Sequence, residues 1–103
     1  MIDHYRSWLE KKPTDRLAMY GLALELKKAG QVEQAQEAFE ALLSTHPHSG
    51  AGWFQFGQLF EEAGDEDEAL GTWRRGLEAL EDATDAEARR SVSEIEGAIA
   101  SLE

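Results

Sequence analysis

An internal repeat with a period of 34 residues sharply limits the folds open to this 103-residue chain. Residues at this offset match in size class, and the matched pairs are Met19 and Trp53, Leu22 and Phe56, Ala23 and Gly57, Leu26 and Phe60, Gly30 and Gly64, Ala35 and Ala69, Phe39 and Trp73, and Leu43 and Leu77. Such a period is typical of arrays in which each unit is one supersecondary element that stacks on its neighbours.

Each unit contains two apolar patterns with helical spacing, separated by a glycine. The first four matched positions follow i, i+3, i+4 and i+7, which is one face of an α-helix. Gly30 and Gly64 lie where that helix must end in a left-handed residue before its neighbour begins. Pro13 and Pro47, also 34 residues apart, close the preceding helices. Each unit is therefore predicted to be a pair of antiparallel helices.

These residues resemble the tetratricopeptide repeat (TPR) family, whose pattern combines large, Leu-Gly, aromatic, Gly, Ala, aromatic and Pro positions. The second unit carries the pattern as Trp53, Phe56, Gly57, Phe60, Gly64, Ala69 and Trp73, and the first as Met19, Leu22, Ala23, Leu26, Gly30, Ala35, Phe39 and Pro47. The resemblance implies an all-α fold, an α-α superhelix built from helical hairpins. Gly76 and Glu81 depart from the pattern and suggest a looser exit from the second unit.

We predict a single domain over residues 1–103. Residues 2–12 match the second helix of a unit and form a leading half repeat, 16–49 and 50–83 are full repeats, and 84–102 form a C-terminal capping helix. The last segment is assigned as a cap because the 34-residue register places polar residues at its signature sites. Thr84 and Glu87 form a capping-box pattern at its start. The predicted helices are 2–12, 15–29, 31–45, 49–63, 66–81 and 85–102.

Composition excludes several classes of function. The chain has 21 acidic and 10 basic residues and a formal charge of −11, so it repels phosphate backbones and nucleic acid is not expected as a partner. The acidity fits an ordinary solvated surface, adaptation to high salt or a basic partner. No apolar run is long enough to span a bilayer and the first residues lack a secretory pattern, so we expect a cytoplasmic protein without membrane contact. Cysteine is absent, which excludes disulfides and thiolate chemistry.

No residue pattern predicts a catalytic, cofactor or metal site. His46 and His48 flank Pro47 in a turn, and two imidazoles hold a metal only with further ligands. The acidic run over 61–68 lacks the order of a calcium loop, and no nucleophile motif or acid–base pair stands out. Trp8, Trp53 and Trp73 occupy signature packing positions, so each is interpreted as core. We therefore expect a non-catalytic protein without a cofactor.

The resemblance implies that the off-core face of each first helix lines a concave groove that binds a partner. The residues on this face are Leu17, Tyr20, Leu24 and Lys27, then Ala51, Phe54, Gln55, Gln58 and Glu61, with Arg89, Val92 and Glu96 as continuations on the capping helix. Some family members clamp acidic tails there with lysine, asparagine and arginine. The matching positions here hold Tyr20, Leu24, Gln55 and Asp85, and only Arg89 agrees, so this specificity is not expected.

Two functions fit these patterns. The first is a module that takes a peptide segment of a partner protein into the groove. The second is a structural protein that forms a homodimer through the same apolar stripe. Helix 15–29 is apolar on nearly every side, so something is expected to cover Leu17, Tyr20 and Leu24. Residues 2–12 are one alternative for that cover.

Overall fold

The computed structural model describes all residues 1–103 and contains six α-helices and no strand. The helices are α1 (Ile2–Lys11), α2 (Arg16–Lys28), α3 (Val32–Thr45), α4 (Gly50–Glu62), α5 (Glu66–Ala79) and α6 (Ala86–Leu102). Every helix end lies within two residues of its predicted position. The all-α prediction is therefore confirmed. No helix combines the length and apolar character that crossing a bilayer needs.

The helices form two compact units, Met1–His46 and Pro47–Glu103. The first unit contains α1, α2 and α3, and the second contains α4, α5 and α6. The repeat boundaries at 49 and 83 remain predictions.

In the first unit, α2 packs against both α1 and α3. Ala23 of α2 and Ala35 of α3 are fully buried, and their small side chains let the two backbones approach closely. Phe39 and Leu42 complete this core at 0% exposure. Trp8 of α1 is only partly buried, so its assignment to the core was wrong.

In the second unit, α4 packs against α5 and α6, and α5 also packs against α6. Trp53 and Trp73 are buried, as predicted. A Cβ on Gly50 would lie 2.3 Å from the Ser91 Oγ, so only a glycine lets α6 approach α4 this closely. Ser91 is buried at this contact although its polarity argued against a packing role.

Local signals account for the helix ends. Gly30 and Gly64 have φ of 75° and 85°, which confirms the predicted left-handed residues after α2 and α4. Asp65 caps α5 by accepting a hydrogen bond from the Glu68 N–H. The capping-box prediction for α6 was wrong, because Asp85 and not Thr84 accepts from the Ala88 N–H.

Gly76 does not loosen the end of the second unit. It is buried, and a Cβ there would lie 2.8 Å from the Cβ of Trp53. The Trp53 side chain therefore fills the space that a larger residue at 76 would occupy. Leu80, the residue after α5, is also buried, at 2% exposure.

Candidate functional site

The predicted site residues of the first unit lie on one face of α2. Leu17, Tyr20, Leu24 and Lys27 follow the spacing i, i+3, i+7 and i+10, which is a single helical stripe. Leu17 is 59% exposed, and the other three residues are partly buried. The stripe therefore presents apolar area to solvent, and its most accessible residue is Leu17.

Helix α1 does not cover Leu17. The ring of Tyr5 lies over Gly21, where a Cβ would be 2.3 Å from the Tyr5 Cε1. Gly21 is four positions after Leu17 and lies on the same side of α2, so α1 packs beside the stripe without burying Leu17. The alternative that residues 2–12 bury Leu17 was wrong, because this side chain stays exposed. For the partly buried Tyr20 and Leu24 the same alternative stays a prediction.

The predicted site residues of the second unit lie on α4. Phe54, Gln55, Gln58 and Glu61 are all partly buried. Phe54, Gln58 and Glu61 follow the spacing i, i+4 and i+7, so they share one face of the helix. Gln55 lies at the edge of this face. The stripe is more polar than that of α2, because amides and a carboxylate follow its single aromatic residue.

Trp73 holds Phe54 in place. The two rings stack with centroids 6.5 Å apart and an interplanar angle of 21°. The Trp73 Nε1–H donates a hydrogen bond of 3.1 Å to the Phe54 carbonyl oxygen. A Cβ on Gly57 would lie 1.9 Å from the same nitrogen, so the glycine makes room for the indole. Phe54 is thus a rigid part of the α4 surface and depends on α5 for its position.

Arg89 does not correspond to the position that the 34-residue register assigned to it. The caps Asp15 and Ser49 are 34 residues apart, whereas Ser49 and Asp85 are 36 apart, because the connection before α6 is two residues longer. This shift places Arg89 at the position that corresponds to Trp53. It removes the basis on which Arg89 was assigned to the concave face.

Arg89 instead lines a groove of about 680 Å³ between α5 and α6. The apolar lining residues are Leu77, Leu80, Ala83 and Val92, and the charged ones are Arg74, Glu78, Glu81, Arg89 and Glu96. Sequence reasoning missed this groove. The signal that could have found it is the 36-residue spacing between the two caps, Ser49 and Asp85.

The same register shift applies to Asp85. In the 34-residue register Asp85 matched a position of the acidic-tail clamp, but its carboxylate accepts a hydrogen bond from the Ala88 N–H as the cap of α6. Asp85 therefore corresponds to the cap Ser49, and the match to a clamp position is lost.

The two turn histidines point to different partners. The His46 Nε2 lies 2.8 Å from the Thr14 carbonyl oxygen, so this ring nitrogen donates across the first unit. The His48 Nε2 lies 2.9 Å from Asp82 Oδ1 in the second unit. No three histidine or carboxylate side chains are grouped to hold a metal ion. The histidines therefore link turns within their own units.

Comparison with known proteins gives one consistent family. The sequence model of the tetratricopeptide repeat family matches residues 20–84. A TPR repeat-containing protein of Pseudomonas aeruginosa is 31% identical over 77 residues, which cover 75% of this chain and 73% of that protein.

Solved structures of tetratricopeptide repeat domains are similar to this chain. The solution structure of a tetratricopeptide repeat domain protein from Salinibacter ruber is 27% identical, with a TM-score of 0.75 over 88% of this chain and 89% of that chain. The Sgt2 TPR domain from Aspergillus fumigatus shares the fold, with a TM-score of 0.68 at 22% identity, over 98% of this chain and 67% of that one.

Proposed function

This chain belongs to the tetratricopeptide repeat family, and we propose that it binds a peptide segment of a partner protein through exposed helical stripes, one on α2 in the first unit and one on α4 in the second. The fold supports a protein–protein interaction module in general. The observation that carries the finer proposal is the 59% exposure of Leu17 beside the partly buried Tyr20 and Leu24. A partner that covers this stripe would remove its remaining apolar area from water.

The proposed site comprises Leu17, Tyr20, Leu24 and Lys27 on α2, and Phe54, Gln55, Gln58 and Glu61 on α4. Each apolar side chain removed from water there contributes about 1.5–3 kcal/mol to the contact. Two or three such side chains suffice for micromolar binding after the costs of association. Arg89 is not part of this surface in our proposal, because the α6 register moves it to the α5–α6 groove.

The chemistry of the stripes indicates the chemistry of the partner segment. The α2 stripe is apolar, so the segment that it takes is apolar or amphipathic. Near the end of α4, Glu61 and Glu62 add negative charge to the surface. Basic residues in the segment are therefore favoured at that end.

A peptide selected from a random display library on the wild-type protein provides the ligand for a test. Leu17→Glu should weaken binding of that peptide by at least about tenfold, because it places a charge in an apolar contact. Val32→Glu is the matched control, since Val32 is also an exposed apolar residue, at 40%, but lies at the start of α3. Equal binding by wild type and the Leu17 variant would refute the site.

The second candidate function is a homodimer that buries the same α2 stripe. The exposed Leu17 supports it equally, because self-association would remove the same apolar area from water. Sedimentation over a concentration series separates the two functions. A dimer that Leu17→Glu dissociates would favour the second, and peptide binding that Leu17→Glu weakens without a change in self-association would favour the first.

A further inference from the structure

Helix α1 carries apolar residues that are less buried than their repeat equivalents. Tyr5, Trp8 and Leu9 are all only partly buried. The residues 34 positions later, Phe39, Leu42 and Leu43, are between 0% and 6% exposed. Tyr5 already packs on Gly21 of α2. Since α3 packs on the α2 of its own repeat, the part of the α1 face that stays accessible fits a further first-type helix, that is, the first helix of a repeat such as α2 or α4.

Helix α6 offers the reciprocal surface. The caps Ser49 and Asp85 begin α4 and α6, and alignment on them places Arg89, Val92 and Glu96 where α4 carries Trp53, Phe56 and Phe60. The latter three are buried. In α6 the three equivalent positions instead line the groove between α5 and α6. The groove is therefore the place where a second-type helix, the second helix of a repeat such as α3 or α5, would pack on α6.

We propose that α1 of a second copy of this chain docks into the α5–α6 groove, antiparallel to α6, so that the two helices complete one repeat. Within the chain α1 is already a second-type helix by its 34-residue register. The contact uses neither the α2 stripe nor Phe54, so it does not rest on the proposed peptide site. Because it joins two different surfaces, it is heterologous and can continue beyond a dimer.

The charge distribution favours this heterologous contact over a symmetric one. Residues 47–103 hold 14 acidic and 4 basic residues, a formal charge of −10, whereas residues 1–46 hold 7 acidic and 6 basic residues, a charge of −1. A symmetric contact between residues 47–103 of two copies would bring together two units that each carry a formal charge of −10. Docking α1 instead places the less acidic unit of one copy on the strongly acidic unit of the other.

Charges at the helix ends also indicate in which direction α1 runs relative to α6. Its last turn contains Lys11, followed by Lys12, whereas the last turns of α3 and α5 contain no basic residue. In an antiparallel pair, these lysines come to the amino end of α6. The carboxyl end of α5, which carries Glu78, and the connection after it, which carries Glu81, lie beside that end, and both side chains are exposed. Opposite charges therefore meet when α1 runs antiparallel to α6.

The lining of the groove also suits the aromatic face of α1. Val92 and Leu77 offer apolar contact, and Arg89 is an exposed residue of the lining. A guanidinium binds favourably to the face of an indole ring. Within this chain Arg75 already lies over Trp53 at 5.3 Å from the ring centroid. Arg89 is placed to make the same contact with Trp8 of the second copy.

Charge-swap variants test the proposal in the full chain. Sedimentation of the wild type from about 10 μM to about 1 mM should show a mass that rises with concentration beyond that of a dimer. Lys11→Glu/Lys12→Glu and Glu78→Lys/Glu81→Lys should each weaken self-association by about tenfold or more, because each opposes like charges. An equimolar mixture of the two variants should form a complex, since the acidic α1 of one then meets the basic groove of the other.

The control is Arg16→Glu/Lys28→Glu, which changes the net charge as much as the α1 variant but alters the ends of α2. All the substituted residues are exposed, so circular dichroism should show unchanged helicity. Three results would each overturn the proposal. The wild type could stay monomeric across the concentration range, the mixture of the two variants could stay monomeric, or the control could self-associate as weakly as the α1 variant. Dissociation by Leu17→Glu alone, with no effect of the α1 variant, would assign association to the α2 stripe instead.

Discussion

The indole of Trp73 occupies the space above Gly57, where a Cβ would lie 1.9 Å from its Nε1. The same nitrogen donates to the Phe54 carbonyl oxygen, so the ring is held by a hydrogen bond as well as by packing. The equivalent pair in the first unit is Ala23 and Phe39, both fully buried. The larger ring thus occurs opposite the smaller residue, which keeps the local volume nearly constant.

In Gly57→Ala the added methyl displaces the indole, at an overpacking cost of about 1–3 kcal/mol. The higher helix propensity of alanine offsets about 1 kcal/mol of this cost, so the net destabilisation should reach up to about 2 kcal/mol. Gly71→Ala is the control and should be stabilising, since Gly71 is an exposed residue of α5 and a Cβ there would meet no heavy atom within 4 Å. Urea denaturation measures both variants. Similar midpoints for the two would contradict the packing argument.

The Gly57–Trp73 contact should also appear as coupling between the two residues. In a Trp73→Phe background, Gly57→Ala should cost less than in the wild type, because the pair then matches Ala23 and Phe39. Residues in direct contact show interaction energies of about 0.5–3 kcal/mol in a double-mutant cycle. Strictly additive free energies of unfolding would show that the methyl does not meet the ring.

Asp85→Ala should cost about 0.5–2 kcal/mol, since it removes the side chain that caps α6. Thr84→Ala should change the free energy of unfolding by less than about 0.5 kcal/mol, because Thr84 is exposed and does not cap the helix. Thermal or urea unfolding compares the adjacent variants directly. A larger loss for Thr84→Ala would restore the capping box that the sequence predicted.

Salt should raise the thermal midpoint, because a charge of −10 in residues 47–103 repels itself. The rise should be steepest below about 0.2 M potassium chloride, where screening changes most. A rise that continues in proportion to salt into the molar range would instead reflect strengthened apolar burial. A midpoint that falls with added salt would exclude charge repulsion as a limit on stability.

The helices and their pairing follow from signals that can be read in the sequence alone. The 34-residue period places apolar residues on repeated helical faces, and Gly30 and Gly64 mark two of the helix ends. These signals are local: a left-handed glycine or a run of apolar residues at i, i+3 and i+4 acts within a few turns of chain. The family and the all-α fold follow from them.

Tertiary packing, in contrast, selects the neighbour that covers each face. Tyr5 packs on Gly21 and leaves Leu17 exposed, although the sequence allowed α1 to cover Leu17. The longer connection before α6 turns Arg89 toward the α5–α6 groove, which a fixed 34-residue register does not describe. Periodicity defines the faces of a helix, but the contact made by each face depends on side-chain volumes and loop lengths elsewhere in the chain.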